Sequence, residues 1–278
     1  MRILLDHYLN KNMKNLFTPS QFRVSLLFIL IALLITTSSY AQDEVQSIET
    51  DRPDQTEAAS VIPVKTLQLE AGYFYQKDEQ SGIKQENLAY PTALLRLGIL
   101  SWLELRVQSA WQQDNLVHEN GLKTKVNGFG PLTLGAKAAL WQEKGIRPQA
   151  AAMLMVDLPV GSRNFRPEEP ETEARLMFKN SLTDWLDLNY NLAYTWTEDL
   201  PEQSYAVSLG AGLTERITVY AEAFGNKSKG HTAEHLADAG LLFLVLPNLQ
   251  LDVAAGKALN SAAPDFFVTT GFSLRLPH

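Results

Sequence analysis

From Thr66 onward the chain alternates between apolar and polar residues with a period of two. In "TLQLEAGYFYQ" Leu67, Leu69, Ala71, Tyr73 and Tyr75 fall on one side, and Gln68, Glu70, Gly72, Phe74 and Gln76 on the other. In "LELRVQSAWQ" Leu103, Leu105, Val107 and Trp111 oppose Glu104, Arg106, Gln108 and Gln112. "LDLNYNLAYTW" sustains the pattern over a whole strand: Leu186, Leu188, Tyr190, Leu192, Tyr194 and Trp196 oppose Asp187, Asn189, Asn191 and Thr195. Successive side chains of a strand point to opposite faces, so this period means strand and not helix. Twelve segments carry it: 66–77, 88–99, 103–112, 131–141, 148–158, 173–182, 186–196, 204–213, 217–225, 235–246, 249–256 and 266–276.

The connections alternate as well. Those after the even-numbered segments are short: "LSW", "QEKGIR", "TDW", "TER" and "PN". Those after the odd-numbered segments are longer, polar and rich in Gly and Pro, as in "QDNLVHENGLKTKVNGFG" and "PVGSRNFRPEEPET". Tight turns at one end and long loops at the other define an up-and-down antiparallel meander.

A soluble barrel or sandwich would hide the apolar face inside; here the residues favour the inverse. The polar face gathers Glu70, Arg96, Glu104, Arg106, Lys137, Asp157, Arg175, Lys179, Asp187, Glu222, Asp238, Asp252 and Arg275, nearly balanced in sign and spaced by Gly and Ser. Strands of about 9–11 residues suit a tilted bilayer crossing. Aromatics such as Tyr73, Trp111, Trp141 and Trp196 sit near strand ends, where a membrane-interface girdle would hold them. A mean hydropathy of −0.12 is ordinary for a barrel with half of every strand polar. In lipid every backbone group must be satisfied internally, which for strands requires closure. The expected fold is therefore all-β: a twelve-stranded antiparallel up-and-down transmembrane β-barrel over 66–278, with both termini periplasmic.

Residues 1–41 read as a leader. Lys11, Lys14 and Arg23 precede the apolar run "VSLLFILIALLI", and Ser39 and Ala41 occupy the small positions of a cleavage site. The run is shorter than the roughly 20 residues that span a bilayer, so a secretory signal peptide cleaved after Ala41 is expected. Either Met1 or Met13 can be its initiator. Export and a barrel together place the protein in a bacterial outer membrane. The net charge of −7 becomes more negative once this basic leader is removed, which argues against nucleic acid as a partner. With no cysteine, disulfides and thiolate chemistry are excluded.

Between leader and barrel, residues 42–65 contain "IETDRPDQTEAASVIP", with Glu49, Asp51, Arg52, Asp54 and Glu57 between helix-breaking prolines Pro53 and Pro63. Such a tail either hangs free in the periplasm or packs over 48–60 against the periplasmic mouth or inside the lumen, narrowing the pore. In the lumen, Asp51, Arg52, Asp54 and Glu57 would be the plug residues, with Arg175, Lys179 and Arg275 among the charges available to pair with them.

These residues suggest a passive channel for small solutes. Arg96, Arg106, Lys137, Arg175 and Lys179 would form a basic ladder facing an acidic wall of Glu104, Asp157, Asp187, Glu222, Asp238 and Asp252. The bland reading of each charge is mutual neutralisation inside a filled lumen. Two other functions remain open: a structural or partner-binding barrel, and a membrane-embedded lipase or protease. The latter needs a nucleophile beside a base held by a third group. His118, His231, His235 and His278 show no such spacing, so no catalytic residue is assigned. The acidic run 167–173 lacks the ordered spacing of a calcium loop, so neither metal nor cofactor is expected. The expected partners are outer-membrane lipid, a small-molecule solute and the barrel-assembly machinery.

The chain also resembles a known family. Thr50, Asp51, Arg52, Pro53, Asp54, Thr56 and Glu57, then Pro63, Gln68, Glu70 and Gly72, match the opening of the outer-membrane transporters named after the MetA pathway of phenol degradation. The similarity continues through "LRLGILSWLELRV", "GFGPLTLGAKAAL" and "MVDLPVGS", and is closest in "HLADAGLLFLVLPNLQLDVAAGKALN" and "DFFVTTGFSLRL". Two departures stand out: Lys65 replaces a glycine, and Leu276 stands where barrel chains usually carry a terminal aromatic. The resemblance implies a β-barrel that moves small compounds, aromatic or hydrophobic ones among them.

Overall fold

The computed structural model describes residues 47–80, 82–119, 121–197 and 200–277. The expected leader, 1–41, lies outside them. The strands are β1 (Leu67–Gln80), β2 (Ile83–Leu100), β3 (Leu103–Val117), β4 (Lys123–Phe129), β5 (Leu132–Trp141), β6 (Gln149–Leu158), β7 (Glu171–Thr183), β8 (Leu186–Trp196), β9 (Glu202–Gly212), β10 (Ile217–Ser228), β11 (Glu234–Leu246), β12 (Leu249–Ala258) and β13 (Phe266–Leu276).

Successive strands pair antiparallel, and β1 pairs with β13 from Leu67↔Leu276 to Lys77↔Phe266, which closes the sheet on itself. β4 and β5 form one crossing. β3 pairs with β4 through Trp111↔Phe129 and with β5 through Gln108↔Thr133. The ladder breaks at Gly130–Pro131, where Pro131 has no N–H to donate. The result is a closed barrel of twelve crossings.

Two connections differ from expectation. The stretches after the first and third segments are not long loops. β1 and β2 run on until they meet at a tight turn with Gly82 at φ 72°, and β3 continues to Val117. Their upper parts are polar on both faces, so alternation fades while the strand persists. Pro91 lies inside β2, at a register shift between Ala89 and Thr92; a bulge is where a strand tolerates proline.

The burial pattern is inverted as expected. On β8 Leu192 is 58% exposed and its neighbour Asn191 only 2%. Leu105, Val107, Leu209, Leu251 and Val253 also face outward. Trp102, Trp141 and Trp185 ring the short-turn end, and Trp196 and Phe266 mark the other. Among the described residues no helix is long and apolar enough to cross a membrane. Inside, apolar packing is local: Ala59 meets Ala151, Met153, Met155 and Met177, while Ala263, from the β12–β13 loop, meets Leu236 and Phe267.

Candidate functional site: the barrel lumen

Residues 48–65 enter and leave the barrel at its short-turn end. Ile48 N donates to Pro247 O at 2.8 Å in the β11–β12 turn, and Lys65 N donates to Gly98 O at 2.9 Å near the foot of β2. Between these anchors the chain loops inward. At its return Pro63 O lies where a side chain on Gly98 would stand, 2.0 Å from an added Cβ, so only glycine admits it.

One wall of the lumen explains why the loop is held. Register sets Arg96 of β2 directly opposite Arg106 of β3, and Lys137 of β5 opposite Glu104 of β3. Like charges facing across strands are destabilising. Asp51 resolves this by approaching all three cations: 3.1 Å to Arg96, 2.6 Å to Arg106 and 3.0 Å to Lys137. Glu57 adds a 2.9 Å pair to Arg106, and Glu70 and Glu104 each stand 2.9 Å from Arg96. The backbone joins the network: Asp51 N donates to Glu70 at 3.0 Å, Ile62 N to Glu104 at 2.8 Å, and Lys137 Nζ to Ala58 O at 3.0 Å. Burial pushes the Asp51 carboxyl up, but Arg96, Lys137 and Arg106 together hold it well below the usual carboxylate range.

The tip of the loop reaches the opposite wall. Arg52 donates to Asp252 at 3.0 Å and to Thr269 at 3.0 Å, with its guanidinium against Gly72 and Gly271. Gln55 N donates to Glu222 at 2.8 Å, and the Thr56 hydroxyl also donates to Glu222. Burial, and then the charge of Glu222, push the Asp54 carboxyl well above its ordinary range. Asp238 faces Glu222 across β10 and β11.

The other expected residues sit apart from this centre. Arg175 pairs with Glu173 at 2.9 Å and donates to Gln55 O at 3.1 Å. Lys179 pairs with Asp187 at 2.9 Å, and Asp157 accepts from the Thr133 hydroxyl. Arg275 is buried near the short-turn end, its N donating to Asn248 O at 2.9 Å. The basic ladder is therefore split: Arg96, Arg106 and Lys137 are tied to the loop, while Arg175 and Lys179 have wall partners. The loop's Asp51 and Glu57 pair with the first group, not with Arg175, Lys179 or Arg275. The short "LSW" turn held the clue, since it folds Arg96 onto Arg106. Tyr220, which points inward over Gly240, was not anticipated; its place in the polar phase of "ITVYAEAF" was the available signal.

The loop leaves space beside it. A cavity of about 440 Å³ lies between Thr50–Ala58 and the wall of β7–β12, lined among others by Asp54, Lys179, Asp187 and Tyr220. A second, of about 410 Å³, is lined by Asp54, Gln108, Asp157, Glu173 and Arg175. Asp54 borders both. No cluster of three His, Asp or Glu among the described residues is arranged to hold a metal ion.

A closed barrel with lipid-facing apolar residues and a polar interior is an outer-membrane β-barrel. The chain belongs to the family described as "Putative MetA-pathway of phenol degradation", whose model matches residues 50–276 and so includes most of the inserted loop. In fold it is similar to an outer membrane channel from Pseudomonas putida F1, with 12% identity, a TM-score of 0.63, and 78% of this chain and 98% of that one covered. It is also similar to the translocator domain of the autotransporter NalP from Neisseria meningitidis, with 12% identity, a TM-score of 0.53, and 78% and 90% covered. No curated protein matches the sequence.

Proposed function

We propose that the protein is a narrow, non-enzymatic outer-membrane channel for small solutes, with residues 48–65 as a built-in constriction. The observation that carries this reading is the pair of cavities, about 440 and 410 Å³, which share Asp54 as a border. A space of that size suits a small molecule and not a polymer. Charged side chains on opposite walls select solutes by bore and charge placement. Membership of a phenol-degradation family favours small aromatic compounds among those solutes. In this reading 1–41 is a cleaved signal peptide, the barrel-assembly machinery inserts the chain, and both termini and the short turns face the periplasm.

Swelling of liposomes containing the refolded barrel tests the proposal. Small sugars, amines and aromatic acids should enter at rates that fall steeply with size. Rates equal to those of protein-free liposomes for every solute would refute it.

A further inference from the structure

The wall that faces Arg52 and Thr56 carries more negative charge than the chain neutralises. Asp238 is 7% exposed, and both its carboxylate oxygens lack a hydrogen-bond partner among the described residues. The same is true of the Tyr220 hydroxyl, whose ring lies over Gly240, one same-face row along from the Glu222–Asp238 pair. Glu222, opposite Asp238, receives neutral donors from Gln55 and Thr56 and, among the described residues, no salt bridge. No described residue forms a salt bridge with Asp54, Glu222 or Asp238; the nearby cations are committed, Arg52 to Asp252 and Arg175 to Glu173. A buried carboxylate without a counter-charge is costly, and here three lie together.

We propose that Asp54, Glu222, Asp238 and the Tyr220 hydroxyl form a binding site for a singly charged cation, either an alkali-metal ion or the ammonium head of an amine. No three carboxylates or histidines among the described residues are arranged to hold a metal ion directly, whereas a singly charged cation that keeps part of its hydration shell can be held through water. A cation approaches from the 440 Å³ cavity, which Asp54 and Tyr220 line, with Glu222 and Asp238 behind them in the wall. A cation beside Asp54 would offset the burial, and then the Glu222 charge, that raise its carboxyl. The proposal rests on the channel reading for its supply of solute and adds the class of solute held at the constriction.

Crystals of the full-length refolded barrel soaked in rubidium chloride, with and without excess methylammonium, test the site directly. Anomalous density is expected beside Asp54 and Tyr220, at the border of the 440 Å³ cavity, in the wild type and is expected to vanish in Asp238→Asn and Glu222→Gln. Displacement by methylammonium identifies an amine site, and its failure an inorganic-ion site. In a potassium chloride gradient the same substitutions should lower the cation-to-anion permeability ratio several-fold. Absence of rubidium density together with an unmoved permeability ratio would overturn the proposal, as a proton shared by Glu222 and Asp238 would produce. Rubidium density in a barrel that conducts no ions would sink the channel reading and leave the site standing.

Discussion

At the scale of single residues, Asp51 joins the inserted loop to the barrel, because three cations converge on it inside a nearly dry wall. Removing one partner of a buried ionic network costs about 3–5 kcal/mol. Asp51→Asn should therefore lower the unfolding midpoint of the refolded barrel markedly at neutral pH. The folded-state pKa of Asp51 is depressed, so its contribution is present above the unfolded value of 3.8 and is lost as pH falls through the folded value. The gap between wild type and Asp51→Asn should accordingly close in strong acid; a gap constant with pH would contradict the assignment. Lys65 makes a smaller point. It holds φ 61°, the left-handed region where the family resemblance expects glycine. A non-glycine residue there costs about 1–2 kcal/mol, offset in part by glycine's greater chain entropy. Lys65→Gly should stabilise the barrel by about 0.5–1 kcal/mol in urea titration, provided the turn geometry is unchanged.

At the scale of elements, the crossings could be read from the sequence because lipid outside and charge inside impose the two-residue period directly. Their extensions could not: in the outer parts of β1, β2 and β3 polar residues occupy both faces, and the period carries no information there. The lumen contacts were partly legible. Which charges point inward follows from phase, but which inserted residue meets which wall depends on register and on glycines that open space, as Gly72 and Gly271 do for Arg52. Single cysteines placed along 186–192 should react with water-soluble thiol reagents at 187 and 189 and be protected by lipid at 188, 190 and 192, with 191 shielded because Asn191 is buried inside the barrel. Uniform labelling would contradict the barrel phase. The loop should also behave as part of the barrel. Glutamyl endopeptidase should leave Glu57 intact in the wild type and cut there faster once Asp51→Asn and Arg52→Gln are combined, since together they remove the Asp51 pairs to one wall and the Arg52 pair to the other and leave Glu57's own pairs as the remaining ionic tie. Rapid cutting of the wild type would mean that the loop is free.

At the scale of the molecule, closure and insertion answer different demands. Closure satisfies the backbone in lipid, and the inserted loop counters cations that the wall places side by side, while narrowing a lumen that twelve strands would otherwise leave wider. Both ends of the loop are fastened at the short-turn end, so the space beside it is left for solute. Single-channel recording of the full chain in planar bilayers, beside a variant lacking residues 48–60, tests this most directly. The account predicts a small, steady conductance for the full chain and a several-fold larger one for the deletion. Equal conductances, or none from either protein, would contradict it.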